Sequence, residues 1–317
     1  MKTYQKVYHI LKNADNYISG EQLAEQLNLS RTSIWKATQQ LEKHGLVIDS
    51  IPNRGYRLIE GDLLEPSWLS DQLPFTIHYR EDSQSTQQDA RQGLEAGDLG
   101  DSLYIAPSQT GAKGRFGRQF FAPQQGGIYM SLHLKPMVAF EQMPPYTILV
   151  AAATVQAIEN LTTKKPLIKW VNDIYLDSKK IAGILTEAVT SVESGLITDI
   201  IIGIGLNVYI KTFPEELKDK AGSLFDEQPE ISRNQLIAEI WKVYLNTPEN
   251  QLIDLYRKKS LVLGQTVSFT QNKIAYTGLA TEIDREGRLQ VETPKGETIW
   301  LNSGEVSLSS WTSEQKD

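Results

Sequence analysis

The first 60 residues carry an ordered series of helix signals, and that order strongly limits how this part of the chain can fold. Ser19 and the glutamine three residues later form a capping box at the start of one helix. A tight break follows, and Ser30 can cap a further helix that continues to about Lys43. Two β-like runs, 46–50 and 55–59, then flank a Pro-Asn-Arg-Gly turn. With an amphipathic segment before them, these signals predict the winged form of the helix-turn-helix.

The third helix of this unit predicts a surface that contacts DNA, because its apolar side chains share one face and its other face is polar and basic. The residues expected to contact DNA are Arg31, Thr32, Lys36 and Gln39 in the major groove, and Arg54 of the hairpin tip on a phosphate or in the minor groove. Residues 1–61 carry five Lys and three Arg against two Asp and four Glu, a net charge of +2. The whole chain carries −7, which leaves −9 for the remainder, and this asymmetry favours a local DNA contact. A three-helix packing module without a nucleic-acid role is the alternative.

The pattern beyond residue 61 divides into a connector, a mixed part and an all-β part. Prolines mark the connector at 62–75. Strand candidates that follow one another without intervening helices predict a mixed α+β sheet for 76–260, and the short runs of 261–317 predict a small barrel. The strands expected in the mixed part are 75–79, 102–107, 127–134, 167–170, 174–177, 180–187 and 197–208, and the helical segments are 146–161 and 232–256. We therefore expect a multidomain α+β chain with a winged helix-turn-helix at 1–61.

Composition excludes several classes of protein. The chain has no cysteine, which excludes disulfides, thiolate metal sites and thiol nucleophiles. No apolar run approaches the roughly 20 residues that cross a bilayer, and the first residues lack the apolar stretch of a signal peptide. No helical His-Glu-x-x-His motif supports a zinc enzyme. We expect a cytoplasmic protein without a membrane partner.

The segment from Gly111 to Arg118 is a basic glycine loop, with the sequence Gly-Ala-Lys-Gly-Arg-Phe-Gly-Arg. Its three glycines allow the backbone to approach a ligand closely, and Lys113, Arg115 and Arg118 place three cations within six residues. Such a concentration of positive charge suits a carboxylate or a polyphosphate. No Gly-Lys-Ser/Thr follows at the spacing of a P-loop. A flexible basic surface loop is the alternative interpretation.

Three further segments carry groups suited to the same chemistry. Asn172 and Asp173 follow a short apolar strand and offer oxygen ligands of the kind Mg²⁺ prefers, although such a pair also commonly makes only a turn. Lys169 can neutralise a phosphate, and Lys180 opens an apolar strand that would hold its ammonium in place. Asn207 ends a β-branched run that contains Gly-Ile-Gly, and it can contact the edge of a ligand. A solvated strand end is the alternative for Lys180.

In this order, the segments resemble the bifunctional biotin–protein ligases that also repress biotin operons. That family combines a Gly-Arg-Gly-Arg-x-Gly-Arg loop, a Lys-Trp-Pro-Asn-Asp turn, a Lys-(Leu/Ile)-Ala-Gly-Ile-Leu strand and a Gly-(Ile/Ala)-Gly-(Ile/Leu)-Asn turn. The chain is similar to it at 111–118, 169–173, 180–185 and 203–207. The resemblance covers nearly the whole chain and implies a winged helix, a ligase domain of the biotin/lipoate type at 76–260 and an SH3-like C-terminal domain.

The resemblance also implies roles for individual residues. It places biotin against Ser85, Thr86, Gln87, Gln109, Lys113, Gly114, Arg115 and Lys180. It places ATP and the adenylate against Arg115, Arg118, Lys169, Asn172 and Asn207, with Asp173 as the ligand of Mg²⁺. Lys180 and Arg118 are the implied catalytic residues. The chain departs from the family at Ala112-Lys113 in place of Gly-Arg, at Gln87 in place of Asn, and at Val171 in place of Pro.

The implied reaction has two steps. The biotin carboxylate attacks the α-phosphorus of ATP, which releases pyrophosphate and forms biotinyl-5′-AMP, and a lysine amine of a carboxylase biotin-carrier domain then attacks the acyl carbon. The resemblance further implies that the adenylate favours a homodimer that binds a palindromic operator and represses biotin genes. A lipoate–protein ligase and a biotin-sensing transcription factor without turnover are the alternatives.

Overall fold

The computed structural model describes residues 1–271 and 273–308. Its first part contains three helices, α1 (Thr3–Lys12), α2 (Gly20–Leu27) and α3 (Arg31–Lys43), and a hairpin of β1 (Val47–Ile51) and β2 (Gly55–Glu60). The predicted caps are confirmed, because the hydroxyls of Ser19 and Ser30 accept the backbone N–H of Gln22 and Ser33. Helices and hairpin share a core of their own, in which α3 buries Ile34, Ala37 and Leu41. The winged helix-turn-helix prediction is thereby confirmed.

The second part is built around one seven-stranded mixed sheet in the order β3-β4-β5-β9-β8-β7-β6. Its strands are β3 (Thr76–Tyr79), β4 (Ser102–Ala106), β5 (Gly127–Leu134), β6 (Leu167–Lys169), β7 (Asp173–Leu176), β8 (Lys179–Thr190) and β9 (Ile197–Asn207). Only the pair β3–β4 is parallel among these neighbours. The sheet is therefore mixed, as its sequence pattern predicts.

In the described part of the chain, five α-helices accompany the sheet: α4 (Pro66–Gln72), α5 (Thr86–Glu95), α6 (Tyr146–Leu161), α7 (Arg233–Asn246) and α8 (Glu249–Lys258). The nearly continuous apolar run of α6 is buried at eleven of its positions, which suits a helix covered on most sides. The helical segment expected over 232–256 is helical in the structure but divided, because the chain forms α7 and α8 separately. Pro248 lies between them, and a proline has no N–H to continue a helix. No helix within the described ranges is long and apolar enough to cross a membrane.

The third part is an antiparallel sheet in the order β13-β12-β11-β10-β14. Its strands are β10 (Thr266–Gln271), β11 (Ile274–Ile283), β12 (Leu289–Glu292), β13 (Thr298–Leu301) and β14 (Ser307–Leu308). Its apolar side chains join the core of the central sheet. The indole N–H of Trp170 donates to the carbonyl of Gly287 at 2.9 Å, and Tyr256 donates to the carbonyl of Val171 at 2.9 Å. The C-terminal sheet is therefore held against the turn that carries Asn172 and Asp173.

Arg233 joins the first part to the second. Its guanidinium and backbone N–H contact both carboxylate oxygens of Asp62, at 2.6 and 2.7 Å, and it also donates to the carbonyl of Gly127 at 3.1 Å. The Arg233 side chain is buried, so this charge is satisfied by an ion pair and by backbone acceptors together. The contact places the end of the hairpin next to the first residue of β5.

Candidate functional site

A cavity of about 500 Å³ opens where the glycine loop, the ends of β7 and β8, the start of α5 and the C-terminal part meet. It is lined by twelve of the residues selected from the sequence: Ser85, Thr86, Gln87, Gln109, Lys113, Gly114, Arg115, Arg118, Lys169, Asn172, Asp173 and Lys180. These residues are spread over almost one hundred positions of the chain. The fold therefore brings the predicted groups into one site.

The glycine loop connects β4 to β5 and is folded back on itself. The N–H of Gly114 donates to the carbonyl of Arg118 at 2.8 Å, and the N–H of Phe120 donates to that of Ala112 at 3.0 Å. At the base of the loop, the N–H of Gly111 donates to the carbonyl of Gln84 at 2.8 Å. Phe116, at the tip, has a φ of 59° and is 69% exposed. These hydrogen bonds hold the basic side chains of the loop at the mouth of the cavity.

The two arginines of the loop contact different partners. Arg115 donates to Asn172 Oδ1 at 3.1 Å and to the carbonyl of Gly304 at 3.0 Å. Arg118 makes a two-pronged ion pair with Glu305, and its hydrogen bonds to this carboxylate raise the pKa of Arg118. Gly304 and Glu305 belong to the C-terminal part, so both arginines connect the loop to it.

Lys180 and Asp173 form an ion pair across β7 and β8, with 2.6 Å between Nζ and Oδ1. The amide N–H of Asn172 donates to the carbonyl of Ile184 at 2.9 Å, which orients its oxygen towards Arg115. Burial lowers the pKa of Lys169, whose ammonium lies 5.8 Å from the centre of the Tyr175 ring. This end of the cavity therefore combines several cations with a single aspartate.

The fit of these groups to magnesium is limited. Among residues 1–271 and 273–308, no group of three or more His, Cys, Asp and Glu lies close enough together to hold a metal ion. Asp173 is paired with Lys180, and Asn172 Oδ1 already accepts from Arg115. The donor set suits a Mg²⁺ ion that takes most of its ligands from phosphate and water.

The opposite end of the cavity is neutral and densely hydrogen-bonded. Gln109 Oε1 accepts from the backbone N–H of Thr86 at 2.7 Å. The hydroxyls of Thr86 and Ser131 are 2.9 Å apart, and Ser131 donates to Gln87 Oε1 at 3.0 Å. The amide of Gln87 donates in turn to Glu187 at 2.8 Å. A polar but uncharged ring system can be held here by paired donors and acceptors.

Asn207 does not line this cavity with the other selected residues. Its Nδ2 donates to the carbonyl of Gly222 at 2.9 Å, and its Oδ1 is buried without a hydrogen-bond partner among the described residues. In the segment 203–205 before Asn207, the glycine at 205 has a packing role. A Cβ atom added to Gly205 would lie 2.4 Å from the Phe120 ring, so this glycine admits the ring that closes the base of the loop.

Sequence reasoning missed Ser131 and residues 304–307, which line the cavity, and Glu187, which contacts the lining residue Gln87. Ser131 is a polar residue within the largely apolar run of β5, and this interruption is the sequence signal that could have indicated a residue of the site. Glu187 contacts Gln87 from β8, inside a segment already selected for Lys180. Residues 304–307 come from the C-terminal part, and no local pattern connects them to a site formed more than one hundred residues earlier.

The residues proposed for DNA contact lie on one exposed surface of the winged helix. Arg31, Thr32, Lys36 and Gln39 are all exposed on α3, and Arg54 is exposed at the hairpin tip. The Arg54 guanidinium lies over the Tyr17 ring, 5.1 Å from its centre, and this cation–π contact helps to hold the Arg54 side chain. The same face exposes 53% of Trp35, a large apolar side chain that the sequence pattern left unassigned.

Fold and site together define a protein ligase of the biotin/lipoate type joined to a DNA-binding domain. The family described as "HTH domain" matches residues 4–57, the "Biotin/lipoate A/B protein ligase family" matches 81–207, and the "Biotin protein ligase C terminal domain" matches 262–309. The chain is 33% identical over 300 residues to the bifunctional ligase/repressor BirA of Bacillus spizizenii, covering 88% of this chain and 90% of that protein. The chain belongs to the family of bifunctional ligase/repressors.

Two further comparisons agree with this assignment. The bifunctional ligase/repressor BirA of Escherichia coli is 28% identical over 330 residues, covering 96% of this chain and 97% of that protein. The biotin protein ligase from Aquifex aeolicus, solved in complex with biotin and ATP, superimposes with a TM-score of 0.59 at 26% identity. The superposition covers 74% of this chain and 98% of the Aquifex aeolicus chain.

Proposed function

We propose that the chain is an ATP-dependent biotin–protein ligase that also represses transcription through its winged helix. One observation carries the ligase function: a single cavity joins a neutral, hydrogen-bonding pocket to a group of cations. Thr86, Gln87 and Gln109 surround the neutral end, and Arg115 and Lys180 lie at the charged end. Biotin has the same polarity, with an uncharged cyclic urea at one end and a carboxylate at the other. ATP brings phosphates to the cations.

The first chemical step forms a mixed anhydride. A carboxylate oxygen of biotin attacks the α-phosphorus of ATP, the bond to the β-phosphate oxygen breaks, and pyrophosphate leaves. In our proposal, Lys180 holds the biotin carboxylate and then the adenylate, and Arg118 with Lys169 neutralises phosphate charge. Mg²⁺, bound at Asp173 together with the nucleotide, would supply further neutralisation of the phosphates. The main work of the chain is positioning and charge stabilisation.

The second step transfers biotin to protein. The amine of a lysine on a biotin-carrier domain attacks the acyl carbon of biotinyl-5′-AMP, the carbon–oxygen bond to the phosphate breaks, and AMP leaves. The amine must lose its proton to solvent or to a basic group. The glycine loop, closed over the anhydride through Arg115 and the carbonyl of Gly304, would exclude water during the interval.

The regulatory function uses the first part of the chain. The exposed basic face of α3 and the arginine of the wing would contact operator DNA. We further propose that biotinyl-5′-AMP favours a homodimer, which requires that the adenylate bind the dimer more tightly than the monomer. A division into 1–61, 62–75, 76–260 and 261–317 fits these roles, with α4 inside the connector.

Four measurements test the proposal. Pyrophosphate release from biotin and ATP, followed by label transfer to a carrier domain, tests the ligase, and absence of both at micromolar enzyme would support a sensor without turnover. Competition between biotin and lipoate tests the ring specificity. A gel shift on biotin-gene promoter DNA, with and without biotin and ATP, tests repression, and sedimentation under the same conditions tests dimerisation.

A further inference from the structure

The first turn of α5 rests on polar groups of the central sheet. Gln87 is only 8% exposed, and its Nε2 donates to Glu187 Oε2 at 2.8 Å and to the carbonyl of Ile201 at 3.1 Å. Its Oε1 accepts from the hydroxyl of Ser131 at 3.0 Å. All the polar atoms of this amide therefore have assigned partners.

These partners determine which way the amide faces. If the amide of Gln87 were reversed, its oxygen would meet the carboxylate of Glu187 and the carbonyl of Ile201, which are both acceptors. A buried acceptor that faces two other acceptors is costly, so the reversed state is disfavoured. The Gln87 oxygen consequently points away from Glu187, towards Ser131 and the cavity.

Glu187 is itself held in place from α5. Arg91 lies one turn after Gln87 on the same face of the helix and pairs with Glu187 Oε1, while Gln87 occupies Oε2. The space is matched as well, because a Cβ atom added to Gly203 would lie 2.6 Å from Gln87 Oε1. The carboxylate of Glu187 thus accepts hydrogen bonds from two successive turns of α5, the helix that begins at the cavity.

The neutral end of the cavity consequently has a defined pattern of donors and acceptors. Gln87 presents an oxygen acceptor. Gln109 uses its Oε1 to accept from the Thr86 N–H, so its Nε2 is turned away from Thr86 with both of its donors. A cyclic urea has two N–H donors and one carbonyl acceptor, which is the complementary pattern.

We propose that Glu187 is a positioning residue for recognition of the biotin ring: it acts through Gln87 by keeping the amide oxygen directed into the cavity. The inference rests on the proposed ligase function, since it concerns the ring of that substrate. Gln87 is one methylene longer than the asparagine at this position of the biotin–protein ligase motif. Its amide therefore depends more on a partner that fixes its orientation than the amide of the shorter side chain would.

Glu187→Met is the test, because methionine keeps the length and removes both acceptors. Glu187→Gln is the rescue, since it restores an acceptor oxygen for Gln87 without restoring the charge that pairs with Arg91. Glu193→Met is the matched control, because Glu193 is an exposed carboxylate in the turn between β8, which carries Glu187, and β9. Calorimetry on the full chain gives the Kd values for biotin and for ATP, and pyrophosphate release gives kcat.

In Glu187→Met, we expect the Kd for biotin to rise about tenfold, as for loss of a hydrogen bond to a charged group, with the ATP Kd and kcat within about twofold of wild type. Glu187→Gln should recover a biotin Kd within about threefold of wild type, and Glu193→Met should match wild type. A biotin Kd that stays within about twofold in Glu187→Met would overturn the proposal. Equal losses in ATP binding, or no rescue by glutamine, would also overturn it.

The binding measurement separates this inference from the proposed function. If the wild-type chain binds biotin but releases no pyrophosphate, the ligase function fails, and the role of Glu187 is still decided by the biotin Kd of the variants. If the wild-type chain binds no biotin, both fail together. If it turns over normally and the variants bind biotin as wild type does, only the role of Glu187 fails.

Discussion

Replacement of Lys180 by methionine is the sharpest test of how the charged end of the cavity works. The substitution keeps an unbranched apolar stem of four atoms and removes the ammonium that lies 2.6 Å from Asp173 Oδ1. In our proposal the same ammonium holds the reacting carboxylate, so its loss should affect the adenylation step and leave the fold intact.

The structure separates the two expected magnitudes. The side chains of Lys180 and Asp173 are 35% and 26% exposed, and an ion pair with this much solvent contributes about 1 kcal/mol or less to folding. A positioned cation that stabilises developing charge in the transition state contributes about 2.7–4 kcal/mol, or about 10²- to 10³-fold in kcat. The catalytic effect should therefore far exceed the effect on stability.

The assay is pyrophosphate release at saturating biotin and ATP, with thermal unfolding measured in parallel. Lys179→Met is the control, because Lys179 is the exposed neighbour on the same strand and its side chain packs beside Gly222, outside the cavity. We expect Lys180→Met to lose about two to three orders of magnitude in kcat, whereas Lys179→Met retains wild-type activity. A Lys180→Met enzyme within about fivefold of wild type would refute the assigned role.

Three other substitutions test separate parts of the chain. Arg118→Ala should raise the KM for ATP about tenfold and leave the KM for biotin nearly unchanged, because in our proposal its guanidinium neutralises the phosphates of ATP. Lys36→Ala should weaken DNA binding for all sequences and reduce the salt slope by about one, as measured by gel shifts over a salt series. Burial acts to raise the pKa of Asp98, but hydrogen bonds from Tyr104 and Ser102 outweigh it and hold this pKa at about 2. Asp98 therefore stabilises the fold above its usual pKa of 3.8 and loses this contribution as the pH falls towards 2. The free energy of unfolding, measured with urea at each pH, should therefore fall by about 2 kcal/mol less on acidification in Asp98→Asn than in wild type.

Each of these expectations has a result that contradicts it. An Arg118→Ala enzyme with a raised KM for biotin and an unchanged KM for ATP would place Arg118 at the wrong end of the cavity. A Lys36→Ala protein with an unchanged salt slope would remove Lys36 from the DNA contact. An Asp98→Asn protein that loses stability between pH 4 and pH 2 as steeply as wild type would show that other groups dominate acid unfolding.

Local chemistry explains why much of the fold was predictable from the sequence. The capping residues Ser19 and Ser30 act within their own first helical turns, so their effect does not depend on distant parts of the chain. Pro248 acts just as locally, because it has no backbone N–H to continue a helix, and it lies where the helical segment expected over 232–256 divides into α7 and α8. The mixed sheet was predictable as a class, because consecutive strand patterns without helices leave few arrangements.

The site was predictable in its residue types and less so in its connections. Lys113, Arg115 and Arg118 are concentrated enough in the sequence to indicate an anion, and the structure places them at one cavity. Their partners could not be predicted, because Arg118 pairs with Glu305 across 187 positions and Gln87 pairs with Glu187 across 100. Pairings over such distances depend on how strands and domains pack, which no local pattern encodes.

The sequence by itself determined where the charges, the glycines and the helix caps lie, because those properties belong to single residues and their near neighbours. Only the tertiary structure decided that the C-terminal sheet contributes Gly304 and Glu305 to the mouth of the cavity. It also decided that the amide of Gln87 on α5 faces in one direction, since Glu187 on β8 and Ile201 on β9 accept its hydrogen bonds. The physical reason is the same in both cases: hydrogen bonds between distant segments exist only after packing has brought their donors and acceptors within about 3 Å.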